Sequence, residues 1–302
     1  MSHHRSSKFD VTVPVAQARR FERQFRHLTD QLAGKEGFKG EYLRKEVFSK
    51  YLDETLVPSD RRREAAVAKW LTAESENVRT NVRLFSGGSS SDGNPTWHWT
   101  NHGRLLKRIR SEVARILGPL CYPAVLQRSV HTNGASTRVT RSPASRVRKY
   151  TGEVHISSSA LCHWFAAFSG TRISLQPLHI QEESVLFTVP KKTEIDRVAC
   201  KEPEGNMLLQ RSVGGYIRDR LKRFGIDLRD QTVNQRLAER ALKEGLATID
   251  LSSASDTISR QLIIQLLPHD WWSLLDDLRV KSTLIDGTSH ELEMFSSMGN
   301  GF

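Results

Sequence analysis

Residues 246–256 read Leu-Ala-Thr-Ile-Asp-Leu-Ser-Ser-Ala-Ser-Asp, an apolar run that gives way to small polar residues. The apolar, β-branched start predicts a strand that delivers Asp250 at its end, where a carboxylate can project into a cleft. The apolar stripe that follows, ending at Pro268, predicts a helix with Asp256 at its start. Two carboxylates six residues apart therefore frame one strand-to-helix turn.

Spacing leaves two interpretations of this aspartate pair open. Asp256 can be a helix N-cap, worth on the order of 1 kcal/mol, with Asp250 as a surface charge at a strand end. Alternatively, carboxylates fixed on rigid elements hold the two Mg²⁺ ions, roughly 3.5–4 Å apart, that phosphoryl transfer uses. A D-x5-D pattern alone is weak and favours the first interpretation.

Segments on either side of the turn favour phosphoryl transfer. Residues 185–189, Val-Leu-Phe-Thr-Val, predict a short strand that is followed by the cations Lys191, Lys192 and Arg197. Residues 295–302 place two glycines among small polar residues, in a loop where the backbone can approach a nucleotide closely. The order of cations, carboxylates and glycine loop is typical of a polymerase.

The charge of the chain favours a polyanionic partner. Its formal net charge is +11, and cations that neutralise phosphates release condensed counterions. Residues 114–151 contain no acid, whereas basic residues accumulate there among Ser, Thr, Gly and Pro. This composition predicts an exposed loop or ribbon that binds a phosphate backbone, the alternative being a solvated flexible loop. The candidate residues are Arg138, Arg141, Arg146, Arg148 and Lys149.

Helical periodicity dominates the first part of the chain. Residues 86–95 are rich in Gly and Ser and predict a linker. Trp97 and Trp99, which follow it, suggest a strand, and packing of their rings in the core is favoured over stacking on bases. Helices are predicted at 15–32, 39–56 and 61–71, and Pro58-Ser59-Asp60 is the expected break and N-cap before the third of them. A further helix is predicted at 207–224, where a basic last turn suits a helix C-terminus.

Composition excludes several classes of protein. Apolar residues make up 38% and charged residues 26% of the chain, and no run approaches the roughly 20 apolar residues of a transmembrane helix. The polar residues 1–10 do not resemble a signal peptide, so the protein is expected to stay where it is made. Cys121, Cys162 and Cys200 are far apart, which argues against a disulfide framework or a zinc site and predicts three buried thiols.

The aspartate turn, Leu266-Leu267-Pro268 and residues 297–302 together resemble the palm of levivirus replicases, the RNA-directed RNA polymerase subunits of Qbeta-type phages. The run from Pro190 to Arg197, with Glu202-Pro203 and Asn206-Met207, is similar to the segment through which that family admits nucleotides. The resemblance implies an α+β right-hand polymerase with fingers and an incomplete palm, in which mixed helices accompany an antiparallel palm sheet.

The same resemblance implies roles for individual residues. Asp250 is the catalytic, metal-binding aspartate of motif A, and Asp256 contacts the ribose of the incoming nucleotide. Cations offset charge on the triphosphate, and the glycine loop is motif B, which positions nucleotide and template. The implied nucleotide-binding residues are Lys191, Lys192, Arg197, Asp256, Ser297, Gly299 and Asn300.

Cofactors and partners also follow from the resemblance. It implies two Mg²⁺ ions in the complete enzyme, replaceable by Mn²⁺, with RNA template, RNA product and ribonucleoside triphosphates as partners. Host elongation factors Tu and Ts are further implied partners, and the cytoplasm of the bacterial host is the expected location, without membrane association. The expected domains are a helical region at 1–85, fingers at 86–240 and the start of the palm at 241–302.

A second catalytic element of the family, a Gly-Asp-Asp hairpin, does not occur in this sequence. The chain is therefore expected to be an incomplete polymerase that is inactive alone. Asp276-Asp277 is preceded by Leu275 in a segment of helical character, so a solvated helix face is favoured there over a metal site.

Two rival functions are open. A basic RNA-binding or nucleoprotein module would satisfy the charge distribution without catalysis, although it leaves the aspartate turn and glycine loop unexplained. A reverse transcriptase would use the same palm chemistry. Polar Asp256 at the ribose-sensing position favours ribonucleotides over that second rival.

Overall fold

The computed structural model describes residues 57–85, 98–126, 130–247, 249 and 251–302, with isolated positions between 23 and 42. The backbone forms two compact units, one of residues 1–65 with 190–196 and a larger one of residues 66–189 with 197–302. The predicted linker and most of the two helices predicted before residue 57 lie outside the described residues. The three-part domain division stays a prediction.

Helices make up most of the described chain. They are α1 (Ser59–Phe85), α2 (His98–Leu117), α3 (Tyr122–Leu126), α4 (Arg146–Lys149), α5 (Leu161–Phe168), α6 (Glu204–Arg223), α7 (Thr232–Glu244), α8 (Arg260–Leu266) and α9 (His269–Leu278). Short 3-10 turns at Ser158–Ala160 and Arg172–Leu175 flank α5. Among the described residues, no helix combines the length and apolar character that crossing a bilayer requires.

Two sheets accompany these helices. The strands are β1 (Val154–Ile156), β2 (Leu178–Ile180), β3 (Glu183–Pro190), β4 (Asp196–Lys201), β5 (Ser282–Ile285) and β6 (Thr288–Glu291). Strands β1 and β2 pair in parallel, and the larger sheet has the order β4-β3-β5-β6. The hairpin β5–β6 turns at Asp286-Gly287, where both residues have positive φ, as a two-residue type I′ turn requires.

The larger sheet is mixed, and the two strands that it takes from the predicted palm at 241–302, β5 and β6, are antiparallel to each other. Strand β3 pairs with β5 in parallel, Val185 lying opposite Leu284, whereas β5 and β6 are antiparallel. The long connection between β3 and β5 contains β4 and helices α6 to α9. Such a crossover allows a parallel pairing, which a tight hairpin cannot make.

Several predicted elements have different bounds or a different type. Helix α1 continues to Phe85, well past the predicted end at residue 71. Trp99 lies in α2, so the strand predicted there is wrong; Leu105, Ile109 and Val113 recur at four-residue spacing, which is the period of a helix. Two thiols also differ from the prediction, because Cys121 and Cys162 are exposed and Cys200 is buried.

The strand predicted at 246–249 is not formed at its described positions. Leu246, Ala247 and Ile249 have no regular secondary structure, and Ile249 is 83% exposed. Gly245 ends α7 in the left-handed conformation, and no strand of the described residues pairs with the apolar run that follows. Because a strand is stabilised by its neighbours, its intrinsic propensity alone does not form it.

The larger core surrounds the first half of α6. Leu208, Leu209 and Val213 are completely buried, and α6 packs against β1, α3, α5 and α9. Trp164 of α5 and Trp271 of α9 are also fully buried in this cluster. Burial of such aromatic side chains contributes a large share of the hydrophobic stabilisation of a core.

A second core lies between α1 and the larger sheet. Trp70, which is 2% exposed, packs with Leu186 of β3, Cys200 of β4 and Ile285 of β5. Leu292 and Met294, two further buried residues, complete the cluster, which belongs to the larger compact unit. One tryptophan thus fastens the helix to three strands of the sheet.

Replacing Trp70 by Ala is expected to lower the free energy of unfolding by about 3–5 kcal/mol, because the change removes buried area and leaves a cavity. Its neighbour Leu71 is 39% exposed, so Leu71→Ala is the matched control and should cost well under half as much. Urea denaturation of both variants measures the difference. Equal midpoints for the two would contradict the assignment of Trp70 to a core.

Candidate functional site

The segment 251–258 forms the turn that carries Asp256. Ser253 has a φ of 56°, and Asp256 is half-buried with Oδ1 accepting from Ser255 Oγ at 3.2 Å. Helix α8 begins at Arg260 with Ser259 at its N-cap position, so the prediction that Asp256 starts the helix is wrong. Asp250 lies outside the described residues, and its catalytic and metal-binding roles stay predictions.

Pairing with a distant segment explains why α8 begins late. Phe295 N donates to Ile258 O at 2.7 Å, and Arg260 N donates to Glu293 O at 3.0 Å. Ser259 forms an antiparallel bridge with Met294 between these bonds. Ile258 and Ser259 are therefore held extended, and the structure brings the Asp256 turn to the start of the glycine loop.

The glycine loop, residues 295–302, is tied to β4 and α6. Met298 O accepts from Cys200 N at 2.7 Å, and Gly301 N donates to Gln210 Oε1 at 2.7 Å. Asn300 folds back on its own loop, since its Oδ1 accepts from Phe302 N at 2.9 Å. Ser297 is 1% exposed, whereas Met298 and Gly299 lie at the surface. Of the three motif B residues predicted to bind nucleotide, Gly299 is thus exposed, Asn300 half-buried and Ser297 buried.

Close backbone approach explains both glycines of this loop. Gly299 has a φ of 118°, and a Cβ there would lie 2.1 Å from Cys200 O. A Cβ at Gly301 would lie 2.6 Å from Met207 O. Gly214 of α6 faces the same loop, because its Cβ would meet the backbone of Phe302 at 3.0 Å. Side chains at these positions would push the loop away from α6 and β4.

Gly299→Ala is expected to displace the loop and to lower the free energy of unfolding by about 2 kcal/mol, since it combines a steric clash with backbone strain. The Cys200 amide should lose hydrogen-exchange protection as its bond to Met298 breaks. Gly215, a helical glycine whose Cβ would meet no heavy atom within 4 Å, supplies the control: Gly215→Ala should be neutral or stabilising by about 0.5–1 kcal/mol. Unchanged protection in the Gly299 variant would count against the packed loop.

A buried polar network lies beneath the loop. Gln210 Nε2 donates to Glu202 Oε2 at 2.6 Å and to Leu278 O at 2.9 Å. Asn206, one turn earlier on α6, donates to the same Leu278 O at 3.0 Å and accepts from Ser157 N at 2.8 Å. Desolvation by complete burial raises the pKa of Glu202 to about 7, against the lowering effects of the Gln210 hydrogen bond and Arg279.

The raised pKa of Glu202 makes stability depend on pH. Between its ordinary value of 4.5 and its folded value near 7, the native state holds more protons than the unfolded state, so this carboxyl lowers stability as pH rises. The size over that window is about 3 kcal/mol. The Glu202→Gln variant should not show this fall in stability with rising pH, because its amide is neutral at every pH in the window.

Chemical denaturation of the parent and of Glu202→Gln at pH 5 and pH 8 measures this difference. From pH 5 to pH 8, the free energy of unfolding of the variant should rise by about 3 kcal/mol relative to that of the parent. Glu239→Gln, at an exposed position of α7, is the control and should follow the parent. Parallel curves for Glu202→Gln and the parent would refute the buried carboxylate.

The predicted triphosphate-binding cations follow β3. Lys191 and Lys192 are exposed, and Lys192 N donates to Ile195 O at 3.1 Å within their turn. Asp196 is buried beside Arg62, with Oδ1 3.2 Å from Nε, inside the same smaller unit. Arg197 is exposed on β4 and belongs to the larger unit. Convergence of the three cations on a triphosphate stays a prediction.

The predicted basic loop, with α4, is anchored from its inner side. Arg138 Nε donates to Glu204 Oε1 at 2.5 Å, and Nη2 donates to Arg148 O at 2.9 Å. Glu204 is fully buried at the start of α6, so the guanidinium of Arg138 is held in one orientation. A cavity of about 290 Å³ opens beside it, lined by Arg138, Val139, Thr140, Pro143, Arg148 and Thr151.

The basic residues of this loop differ in accessibility. Arg141, Arg146 and Arg148 are exposed, which suits the predicted contact with a phosphate backbone. Lys149 is 1% exposed and donates to Thr132 Oγ1 at 3.3 Å, and burial lowers its pKa. Lys149 is thus the buried residue of α4, whose other three residues are exposed. A direct contact of Lys149 with RNA stays a prediction.

The interior of this loop disfavours further charge. His131 packs edge-on against Tyr150, with ring centroids 4.6 Å apart. Desolvation by burial, with repulsion from the Lys149 ammonium, lowers the pKa of His131 to about 4. The imidazole is therefore neutral near pH 7, which leaves the exposed arginines as the cations that the loop presents.

The adjacent aspartates of α9 contact basic side chains. Asp276 contacts Arg279 Nε at 2.6 Å and Lys281 Nζ at 3.2 Å, and Asp277 Oδ2 lies 3.0 Å from His163 Nε2. The predicted helix over this segment is confirmed. The described part of the chain contains no group of three or more His, Cys, Asp or Glu residues that could hold a metal ion.

Sequence reasoning missed the buried polar residues that support the site. On α1, Glu74 and Asn77 were beyond the predicted end of the helix, so their place on its buried face was not recognised. On α6, Asn206 and Gln210 share one face at a four-residue spacing. Such spacing of two amides on the buried side of a helix is the signal that could have identified the network.

Comparison with known proteins identifies the family. The model of the RNA replicase beta-chain family matches residues 6–302. The RNA-directed RNA polymerase beta chain of Enterobacteria phage fr is 37% identical over 251 residues, covering 80% of this chain and 45% of that protein. The RNA-directed RNA polymerase subunit beta of Escherichia virus Qbeta is 36% identical over 268 residues, which cover 88% of this chain and 44% of that protein.

A shorter match is closer in sequence. The RNA-directed RNA polymerase beta chain of Escherichia phage MS2 is 56% identical over 118 residues, which are 39% of this chain and 22% of that protein. The chain spans less than half the length of these curated relatives. Given a match over almost all of its residues, this chain belongs to the RNA replicase beta-chain family.

Proposed function

We propose that this chain is part of an RNA-directed RNA polymerase that replicates the genome of a small positive-strand RNA phage. The reaction is attack of an RNA 3′-hydroxyl on the α-phosphate of a ribonucleoside triphosphate, with pyrophosphate as the leaving group. One observation carries the proposal: family membership over residues 6–302 coincides with a structure in which Phe295 N bonds Ile258 O and so joins the aspartate turn to the glycine loop.

Asp250 is proposed to supply one carboxylate to Mg²⁺, or to Mn²⁺ in its place, because hard cations prefer oxygen ligands. The donor chemistry fits, but one aspartate is an incomplete set, and the described residues offer no cluster of three metal-binding side chains. The ion, when bound, neutralises charge on the phosphates. This chain would contribute part of its coordination.

The remaining residues are proposed to orient the nucleotide. The carboxylate of Asp256 would accept a hydrogen bond from the ribose 2′-hydroxyl, and Gly299 would let the backbone come close to the nucleotide. Exposed Lys191, Lys192 and Arg197 would offset the charge of the triphosphate. Positioning of this kind converts an encounter between separate molecules into an ordered reaction within one complex.

The basic loop is proposed to hold RNA. Arg141, Arg146 and Arg148 present exposed guanidinium groups, and Arg138 is fixed by its bond to Glu204 at the rim of the cavity. One guanidinium group can donate hydrogen bonds to two phosphate oxygens at once, so an arginine held in one orientation favours one path of the RNA backbone. Salt-dependent, sequence-tolerant binding is expected of such a surface.

Host factors and location extend the proposal. Elongation factors Tu and Ts are proposed as partners, in accordance with the levivirus resemblance, and the cytoplasm of the bacterial host is the proposed site of action. Pull-down of both factors with the complete replicase from infected cells tests the partnership.

Asp250→Asn, made in the complete replicase polypeptide, is expected to reduce nucleotide incorporation to background, because an amide cannot replace the charged metal ligand. RNA binding, measured by filter retention, should stay within about twofold of the parent, since phosphate contacts of the basic loop dominate it. Asp286→Asn, in the exposed β5–β6 turn, serves as the control and should retain activity. Normal incorporation by Asp250→Asn would overturn the metal-binding role of Asp250, whereas a parent replicase that binds RNA without incorporating nucleotides would favour a non-catalytic RNA-binding module.

A further inference from the structure

Helix α1 changes character along its buried face. Ala66, Trp70 and Ala73 are buried apolar residues, whereas Glu74 and Asn77 continue the same face with buried polar groups. Asn81, one turn further, is also buried. Polar groups in such places are retained only where they find hydrogen-bonding partners. The partners of this face therefore show what the second half of α1 holds.

Glu74 holds the segment that leads into the glycine loop. Its Oε2 accepts from Glu293 N at 2.7 Å, and its Oε1 accepts from Met294 N at 2.9 Å. Met294 is the residue that bridges to Ser259. Two main-chain amides are thus bound by one carboxylate, which fixes the register in which the two segments pair.

Asn77 holds the turn itself. Its Nδ2 donates to the main-chain carbonyl of Asp256 at 2.7 Å and lies 3.4 Å from Glu74 Oε1. The residue is 2% exposed, so water does not readily replace a partner that moves away. The main chain of Asp256, the residue proposed to contact the ribose, is therefore tied to α1.

Asn81 makes different contacts from the same face. Its Oδ1 accepts from Gln261 N at 2.8 Å, and its Nδ2 donates to Glu293 O at 2.9 Å. These bonds hold the start of α8 and the paired strand segment, with no bond to Asp256. Asn77 and Asn81 are thus two buried amides of one helix that differ in whether they touch the ribose-sensing residue.

We propose that Asn77 is a positioning residue for ribonucleotide selection. By holding the Asp256 carbonyl, it sets where the Asp256 carboxylate meets the 2′-hydroxyl of the incoming nucleotide. The proposal rests on the proposed polymerase function. A site built to bond a hydroxyl discriminates strongly against the analogue that lacks it, and this discrimination falls when the bonding group is misplaced.

The test measures incorporation of one ribonucleoside triphosphate and of its 2′-deoxy analogue by the complete replicase. Asn77→Ala should raise KM for the ribonucleotide about tenfold and leave kcat and the deoxynucleotide values within about twofold, because the lost contact belongs to the 2′-hydroxyl. Asn81→Ala is the matched control. It should lower stability comparably and leave the ratio of kcat/KM between the two nucleotides unchanged.

A milder variant guards against failure to fold. Asn77→Ser keeps a polar group but is too short to span the bond to Asp256 O, and it should lower the ratio in the same direction. Asp256→Ala locates any failure. If the parent makes no RNA, the proposed function fails and the inference with it. If Asp256→Ala leaves the ratio unchanged, the ribose contact of Asp256 and the role of Asn77 are overturned while the polymerase function stands. If Asp256→Ala lowers the ratio while a folded Asn77→Ala or Asn77→Ser preserves it, the role of Asn77 alone is overturned.

Discussion

The amide of Gln210 is the contact on which the rest of the site depends. Its Nε2 donates to Glu202 Oε2 and to Leu278 O, and its Oε1 accepts from Gly301 N, so its two polar atoms bond three different segments of the chain. Gln210 is fully buried, and an unmet polar group there would cost roughly 1–3 kcal/mol. Strand β4, helix α9 and the glycine loop are consequently held together as one arrangement.

Helix α6 extends this constraint to the basic loop. Thr137 N donates to Glu202 O at 3.1 Å, and Arg138 pairs with Glu204 at the first turn of the helix. The N-terminal half of α6, which contacts the glycine loop, therefore also fixes the inner side of the basic loop. Rigid support of this kind is what a site needs if it is to place a polyanion and a nucleotide in a defined relation.

Local patterns predicted elements that carry their own periodicity. The strand expected at 185–189 is confirmed as β3, and the helices expected at 207–224 and 271–278 are confirmed as α6 and α9 with small shifts of their ends. The apolar run before Asp250 shows the limit, because strand formation depends on neighbours that periodicity does not reveal. Asn77 and Asp256 are 179 residues apart, so no local pattern could pair them.

Burial of ionisable groups beside the site lowers the stability of the fold, but the same groups fix the positions of main-chain atoms. Replacement of a buried charged network by well-packed apolar residues is often neutral or stabilising, and Glu202, with its pKa raised to about 7, is a group that burial penalises. Apolar side chains, however, cannot fix the main-chain groups of Gly301, Leu278, Glu293 and Asp256. We infer that the buried Glu74, Glu202 and Gln210 trade stability for a single geometry of the two segments that the proposed reaction requires.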